Sequence, residues 1–234
     1  MASEQVSYDG SRALDVTMFY PDGLSVIRGV VVFTGGQGNG GSGDTRDKPG
    51  NAFWQAFGQS LGFGIVGTQF TGSYTNAANG PGEALLSVLK ALGEKTKHPE
   101  LTNVPLLLEG FSNGGYFSFS FAQFAPERVI AFCLNKSGFA QAPLDPPFLA
   151  VPGLLIWGSE EPPDVPTVIH QRVTEGRAQH ALWAELREWG RQHEDGDVEP
   201  IFAPFFAEMV AMRYPSGADP KAGVVELDAL REES

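Results

Sequence analysis

The chain has 234 residues, 42% of them hydrophobic and 19% charged, and carries a formal net charge of −12. That balance fits a single globular domain over residues 1–234 and excludes an intrinsically disordered chain. The acidity disfavours nucleic-acid phosphates and anionic membrane surfaces as partners, and it is read as solubility rather than as a sign of a cationic substrate.

The start, Met1-Ala2-Ser3-Glu4-Gln5, has neither the basic nor the apolar segment of a secretory leader. The expectation is a cytoplasmic protein, with a secreted or periplasmic one as the alternative if a leader has been removed. The first apolar stretch, Leu14 to Tyr20, alternates and ends at the turn signal Pro21-Asp22-Gly23. Val30 to Phe33 is a continuous β-branched run, as expected of a strand covered on both faces, and a glycine-rich loop follows from Gly35 to Gly43. Residues 51–61 predict a helix carrying Phe53, Trp54 and Phe57, and Ile65 to Phe70 the next strand. Leu85, Val88, Leu89 and Leu92 place one apolar face on a helix over 82–97, closed by Pro99. Val104 to Leu108 is a short strand running into Glu109-Gly110-Phe111-Ser112-Asn113-Gly114-Gly115.

After Ser112, the run Phe117-Ser118-Phe119-Ser120-Phe121 alternates like a strand. It is read as a helix, because Phe117, Phe121 and Phe124 share a helical face and a strand-to-helix turn precedes them. Strands are expected at 129–134, 153–157 and 181–189, and helices at 165–178 and around Phe202, Phe205, Phe206 and Met209, whose stripe is read as core. Cys133, the one cysteine, excludes an intrachain disulfide and reads as a small buried hydrophobe; no cysteine cluster points to zinc. No apolar stretch approaches the roughly 18 residues of a membrane span. The alternation of strands and helices predicts an α/β protein: a mostly parallel sheet of six or seven strands with helices on both faces. Residues after about 216 are polar and read as a loose tail.

The strongest chemical signal is Gly110-Phe111-Ser112-Asn113-Gly114. A serine hydroxyl is a weak nucleophile that needs a neighbouring base and an exposed mounting. A sharp strand-to-helix turn supplies the mounting, and glycines two residues to either side let the backbones pass. With 29 glycines in the chain the bare pattern is only suggestive; its place between a buried strand and a helical pattern carries the reading. On these residues, with Gly115, the sequence resembles the nucleophile elbow of the α/β-hydrolase superfamily. The resemblance extends from the first strand to the last helix and is nearest to small lidless carboxylesterases, dienelactone-hydrolase-like and polyester-depolymerase-like members.

The resemblance implies a base and an acid downstream of Ser112, the acid first. His98 lies upstream, His170 inside a predicted helix, and His180 before the last strand, at the far edge of a parallel sheet. His193 follows the last strand and is the expected base. The family's acid follows the preceding strand as Gly-x-x-Asp, which puts Glu161 in that place; this chain departs by having glutamate, with Asp164 and then Glu160 as rivals. The oxyanion donors implied are the N–H groups of Asn113 and of Gly36, with Gln37 as the alternative, in Thr34-Gly35-Gly36-Gln37. Phe70, Tyr74, Phe111 and Trp157, at strand ends near the elbow, are candidate substrate-binding residues. The glycine-rich loop lacks the ending of a Walker loop and the spacing of a dinucleotide fold.

Where many members insert a lid, this chain has only the short proline-rich stretch 138–151, so no large lid is expected. The activity implied is hydrolysis of a small-molecule or polymeric carboxylic ester through an acyl-enzyme, with no metal or organic cofactor. A serine peptidase or amidase on the same scaffold, and a hydrolase-like scaffold that only binds a ligand, are the alternatives. Dehalogenases and epoxide hydrolases would want aspartate at position 112.

Overall fold

Eight strands hydrogen-bond into one sheet: β1 (Ala2–Asp9), β2 (Arg12–Phe19), β3 (Gly29–Thr34), β4 (Phe63–Phe70), β5 (Leu106–Phe111), β6 (Val129–Asn135), β7 (Gly153–Gly158) and β8 (Trp183–Glu188). The structure is a computed structural model and describes residues 1–138 and 143–230. The spatial order is β1-β2-β4-β3-β5-β6-β7-β8. β1 and β2 pair antiparallel, as do β2 and β4; every pairing from β4 through β8 is parallel. Parallel strands end on the same edge, so the loops after β3, β5, β6, β7 and β8 gather there.

The helices are α1 (Ala52–Leu61), α2 (Pro81–Thr96), α3 (Asn113–Phe124), the single turn α4 (Pro146–Leu149), α5 (Asp164–Arg177) and α6 (Glu199–Arg213). One face of the sheet packs on α1 and α6 through Trp54, Phe202, Phe206 and Val210. The other packs on α2, α3 and α5 through residues such as Leu85, Leu89, Phe117, Ile169 and Val173. Cys133 is fully buried between β strands, as read from its apolar run. Among the described residues, no helix is long and apolar enough to cross a membrane.

Three expectations are corrected. The sheet has eight strands, because β1 was not read as one. Its residues are half-exposed in alternation, and only Ala2, Val6 and Tyr8 pack against the core; an edge strand so thinly apolar leaves little pattern to detect. The strand expected at 104–108 runs from Leu106 to Phe111, since Pro105 has no N–H to give a ladder and only its carbonyl is used, by Val30 N–H at 3.1 Å. Finally, residues 216–230 are not a loose tail. Val225 is buried, Leu227 packs on the α6-side core, and Asp228 exchanges backbone and side-chain hydrogen bonds with Arg213.

The alternating phenylalanines of α3 have a physical explanation. The helix is buried on two sides: Phe117 sits 4.8 Å from Phe70, while Phe119 sits 4.8 Å from Phe148 and 5.8 Å from Trp183. A helix covered this widely needs apolar residues off its main stripe, which produces a strand-like period. Of the expected lid position, residues 139–142 lie outside the described residues. The part that follows buries Phe148, Leu149 and Val151 in the core.

Arg213, 5% exposed, closes the C-terminal segment by donating to the carbonyls of Val129 and Ile130 and, through Nε, to that of Asp228. Arg213→Ala is expected to lower stability by about 2–4 kcal/mol, read as a lower urea midpoint at constant m-value.

Candidate active site

The backbone turns sharply where β5 meets α3. Ser112 lies at φ 53° and ψ −123°, a conformation that costs a residue with a side chain about 1–3 kcal/mol. Flanking glycines permit the turn: a Cβ on Gly110 would lie 2.3 Å from the Gly114 carbonyl oxygen, and one on Gly114 2.0 Å from that of Thr34. The N–H of Ser112 donates to the carbonyl of Asn135, at the end of β6, at 2.9 Å. The hydroxyl thus stands above the edge where the strands end.

His193 follows β8. Its Nε2 lies 2.9 Å from Ser112 Oγ, and its Nδ1 lies 2.7 Å from Glu161 Oε1. A carboxylate at Nδ1 favours the tautomer with its proton there, leaving the Nε2 lone pair facing the serine hydroxyl. Glu161 sits in the turn after β7 with its side chain fully buried. Its other oxygen accepts the N–H of Gly158 at 3.0 Å. The extra methylene of glutamate is used here: the side chain folds back over its own turn and still reaches the imidazole.

The rival acids stand elsewhere. Asp164 is exposed at the start of α5, and Glu160 is exposed and receives Gln192 Nε2 at 3.4 Å. The other histidines are also apart from Ser112. His170 pairs with Glu185 on the surface, His98 pairs with Glu100, and His180 occupies the turn before β8.

The loop after β3 forms a small hairpin, Gln37–Gly38 with Gly41–Ser42. Gly36 is pressed against the serine, since a Cβ there would lie 3.0 Å from that of Ser112. Asn113 opens α3, where first-turn N–H groups have no intrahelical acceptor. Its side chain donates to Gln37 Oε1 at 3.4 Å.

The aromatic candidates divide. The ring of Phe111 is 5.3 Å from that of His193. Tyr74 donates its hydroxyl to the Gly35 carbonyl at 3.1 Å and lines a cleft of about 350 Å³ with Gln37, Thr75 and Asn113. Burial pushes its phenol above the ordinary range. Phe70 is a core residue, 1% exposed, stacked beneath Tyr74 at 5.4 Å. Trp157 packs against the core beneath the Arg187 guanidinium, 5.0 Å away. For Phe70 the expectation is corrected: a place at a strand end does not fix which face the side chain takes.

No family model matches the chain, and no curated protein matches it in sequence. Solved structures do. A poly(3-hydroxybutyrate) depolymerase, LpqC, from Bordetella parapertussis is 17% identical, with 94% of each chain covered and a TM-score of 0.61. MGS-M1, an α/β-hydrolase enzyme from a Medee basin deep-sea metagenome library, is 13% identical over 90% of this chain and 97% of that one, with a TM-score of 0.62. A thermostable esterase reaches a TM-score of 0.67 at 16% identity, over 90% of this chain; the match spans 62% of the esterase. This chain has the α/β-hydrolase fold.

Within that fold, sequence reasoning passed over a polar group behind the elbow. Lys48, Glu109 and Asp195 line a second cleft of about 360 Å³ that also touches Gly36 and Phe111. Glu109 is 2% exposed, and its Oε1 has no hydrogen-bond partner. Burial, reinforced by Asp195, holds its carboxyl well above the ordinary value of 4.5, with Lys48 opposing. The available signal was a charged residue closing the apolar run Leu106-Leu107-Leu108.

A carboxyl protonated more readily when folded gives stability that is complete below its unfolded pKa and is lost as pH rises toward the folded one. Removing the titration should therefore help most at higher pH. The Tm of Glu109→Gln is expected to gain on that of wild type as pH is raised from 4.5 to 8, whereas parallel curves would refute a buried, titrating Glu109.

Proposed function

We propose that the protein is a serine hydrolase that cleaves carboxylic esters through an acyl-enzyme. The observation that carries this reading is the imidazole of His193 standing between Ser112 Oγ at 2.9 Å and Glu161 Oε1 at 2.7 Å. In the reaction, His193 Nε2 accepts the hydroxyl proton as Ser112 Oγ attacks the ester carbonyl. The tetrahedral oxyanion receives the N–H groups of Asn113 and Gly36, with Gln37 as the alternative second donor. Collapse breaks the carbonyl–alkoxy bond, and the leaving alcohol takes the proton back from Nε2. Water then attacks the acyl-enzyme with His193 again as base, releasing the acid and restoring Ser112. Glu161 holds the tautomer and stabilises the imidazolium.

The protein's own groups suffice for these steps, without a metal or organic cofactor. The clefts on either side of Gln37 leave room for a small ester or a segment of a polymeric one, with Phe111 and Tyr74 as contacts. Among the similar structures are esterases and a poly(3-hydroxybutyrate) depolymerase, in keeping with an ester substrate.

A fluorophosphonate probe is expected to label the wild type, with labelling abolished in Ser112→Ala and His193→Ala. Hydrolysis of nitrophenyl esters should exceed that of aminoacyl anilides. In Glu161→Gln, kcat should fall by roughly a thousandfold or more with the fold intact. A folded wild type that takes no label would overturn the reading.

A further inference from the structure

A catalytic histidine on a loop must be held in two senses: its ring must be oriented, and its loop must be kept at the right distance from the serine. Glu161 provides the first. On the near side of His193, the loop is fastened to the turn after β7: Glu160 N–H donates to the Arg191 carbonyl at 2.9 Å, and Gly190 N–H to Ser159 Oγ at 2.7 Å. On the far side, two residues beyond His193, the fastening is a buried amide.

That amide belongs to Asn135, the last residue of β6 and fully buried. Its carbonyl accepts the N–H of Ser112 at 2.9 Å. Its side-chain Nδ2 donates to the Asp195 carbonyl at 2.7 Å and to Asp195 Oδ1 at 3.1 Å. Its Oδ1 accepts from Lys136 Nζ at 3.1 Å, and Lys136 in turn pairs with Glu188, where β8 ends and the histidine loop begins. Asp195 Oδ2 is also bound by Lys48 Nζ, at 2.8 Å.

One residue therefore grips the backbone of the serine with its main chain and the histidine loop with its side chain. The side chain must donate to Asp195 and accept from Lys136 at once, which the amide does and neither a carboxylate nor an apolar group can.

We propose that Asn135, with Asp195 as its partner, is a positioning residue that sets the separation of Ser112 from His193. This rests on the reading of Ser112 and His193 as nucleophile and base. A displacement near 1 Å at reacting atoms can cost about a hundredfold in rate. Asn135→Leu is therefore expected to lower kcat on nitrophenyl acetate by about that factor, with KM nearly unchanged. Asp195→Ala keeps the backbone acceptor and should lose less. Asp195→Asn retains an oxygen for Asn135 Nδ2 and should restore most of the rate.

The decisive measurement is a double-mutant cycle. If Asn135 acts through His193, Asn135→Leu should cost almost nothing further in a His193→Ala background. Full additivity would overturn the proposal, as would wild-type kcat in folded Asn135→Leu. Should Asn135→Leu fail to unfold cooperatively, Asp195→Ala against Asp195→Asn decides, and equal kcat in the two would overturn it. Final fluorophosphonate labelling of the wild type separates this test from the activity itself. An unlabelled wild type defeats the proposed hydrolase, whereas a labelled wild type with indifferent variants defeats only the positioning role.

Discussion

The architecture of the site depends on how closely the first turn of α3 approaches the ends of β3 and β5. No side chain fits at Gly114, where a Cβ would meet the Thr34 carbonyl oxygen at 2.0 Å. The chain enters this close approach through a positive φ at Ser112, at a cost of about 1–3 kcal/mol. The helix is driven into place by its phenylalanines. Phe117, Phe119 and Phe121 are fully buried, and each such side chain contributes roughly 1.5–3 kcal/mol by leaving water. The packing gain exceeds the strain several-fold, so the turn persists.

The second constraint is the parallel sheet. Because β3 to β8 all point the same way, residues far apart in the chain emerge on one edge: Ser112 after β5, Glu161 after β7 and His193 after β8. The polar groups that tie these loops together are buried with them. Asn135 and Lys136 are fully buried, and their charges and amides are matched across loops by Asp195 and Glu188. Glu109, by contrast, is buried with one oxygen unpartnered. A framework made of backbone ladders, close glycine contacts and apolar burial tolerates many side-chain choices, which accounts for a shared fold at 12–17% identity.

What could be read from the sequence depended on how local the cause was. The elbow was legible because its glycines and its serine lie within five residues. His193 was legible because parallel strands leave few histidines on the serine's edge. Glu161 was less so: three acids share one short turn, and only side-chain burial separates the residue that meets the imidazole from two that face water. β1 escaped because its stability comes from pairing with β2 rather than from its own composition. Phe70 was misplaced because strand position does not reveal facing.

The sequence by itself determined the order of the elements from β2 onward, apart from the single turn α4, together with the turn at Ser112 and a short set of candidates for the chemistry. The elements and the turn follow from periodicity and backbone sterics acting over a few residues, whereas the residues proposed for the chemistry were named through the resemblance to the α/β-hydrolase superfamily. Only the tertiary structure decided which acid joins His193, where the last 15 described residues pack, and that Asn135, Asp195 and Lys48 form one group. Those partners are separated by 60 and 147 residues in the chain. Hydrogen bonds between such distant positions leave no periodic trace and exist only once the sheet has brought its loops together.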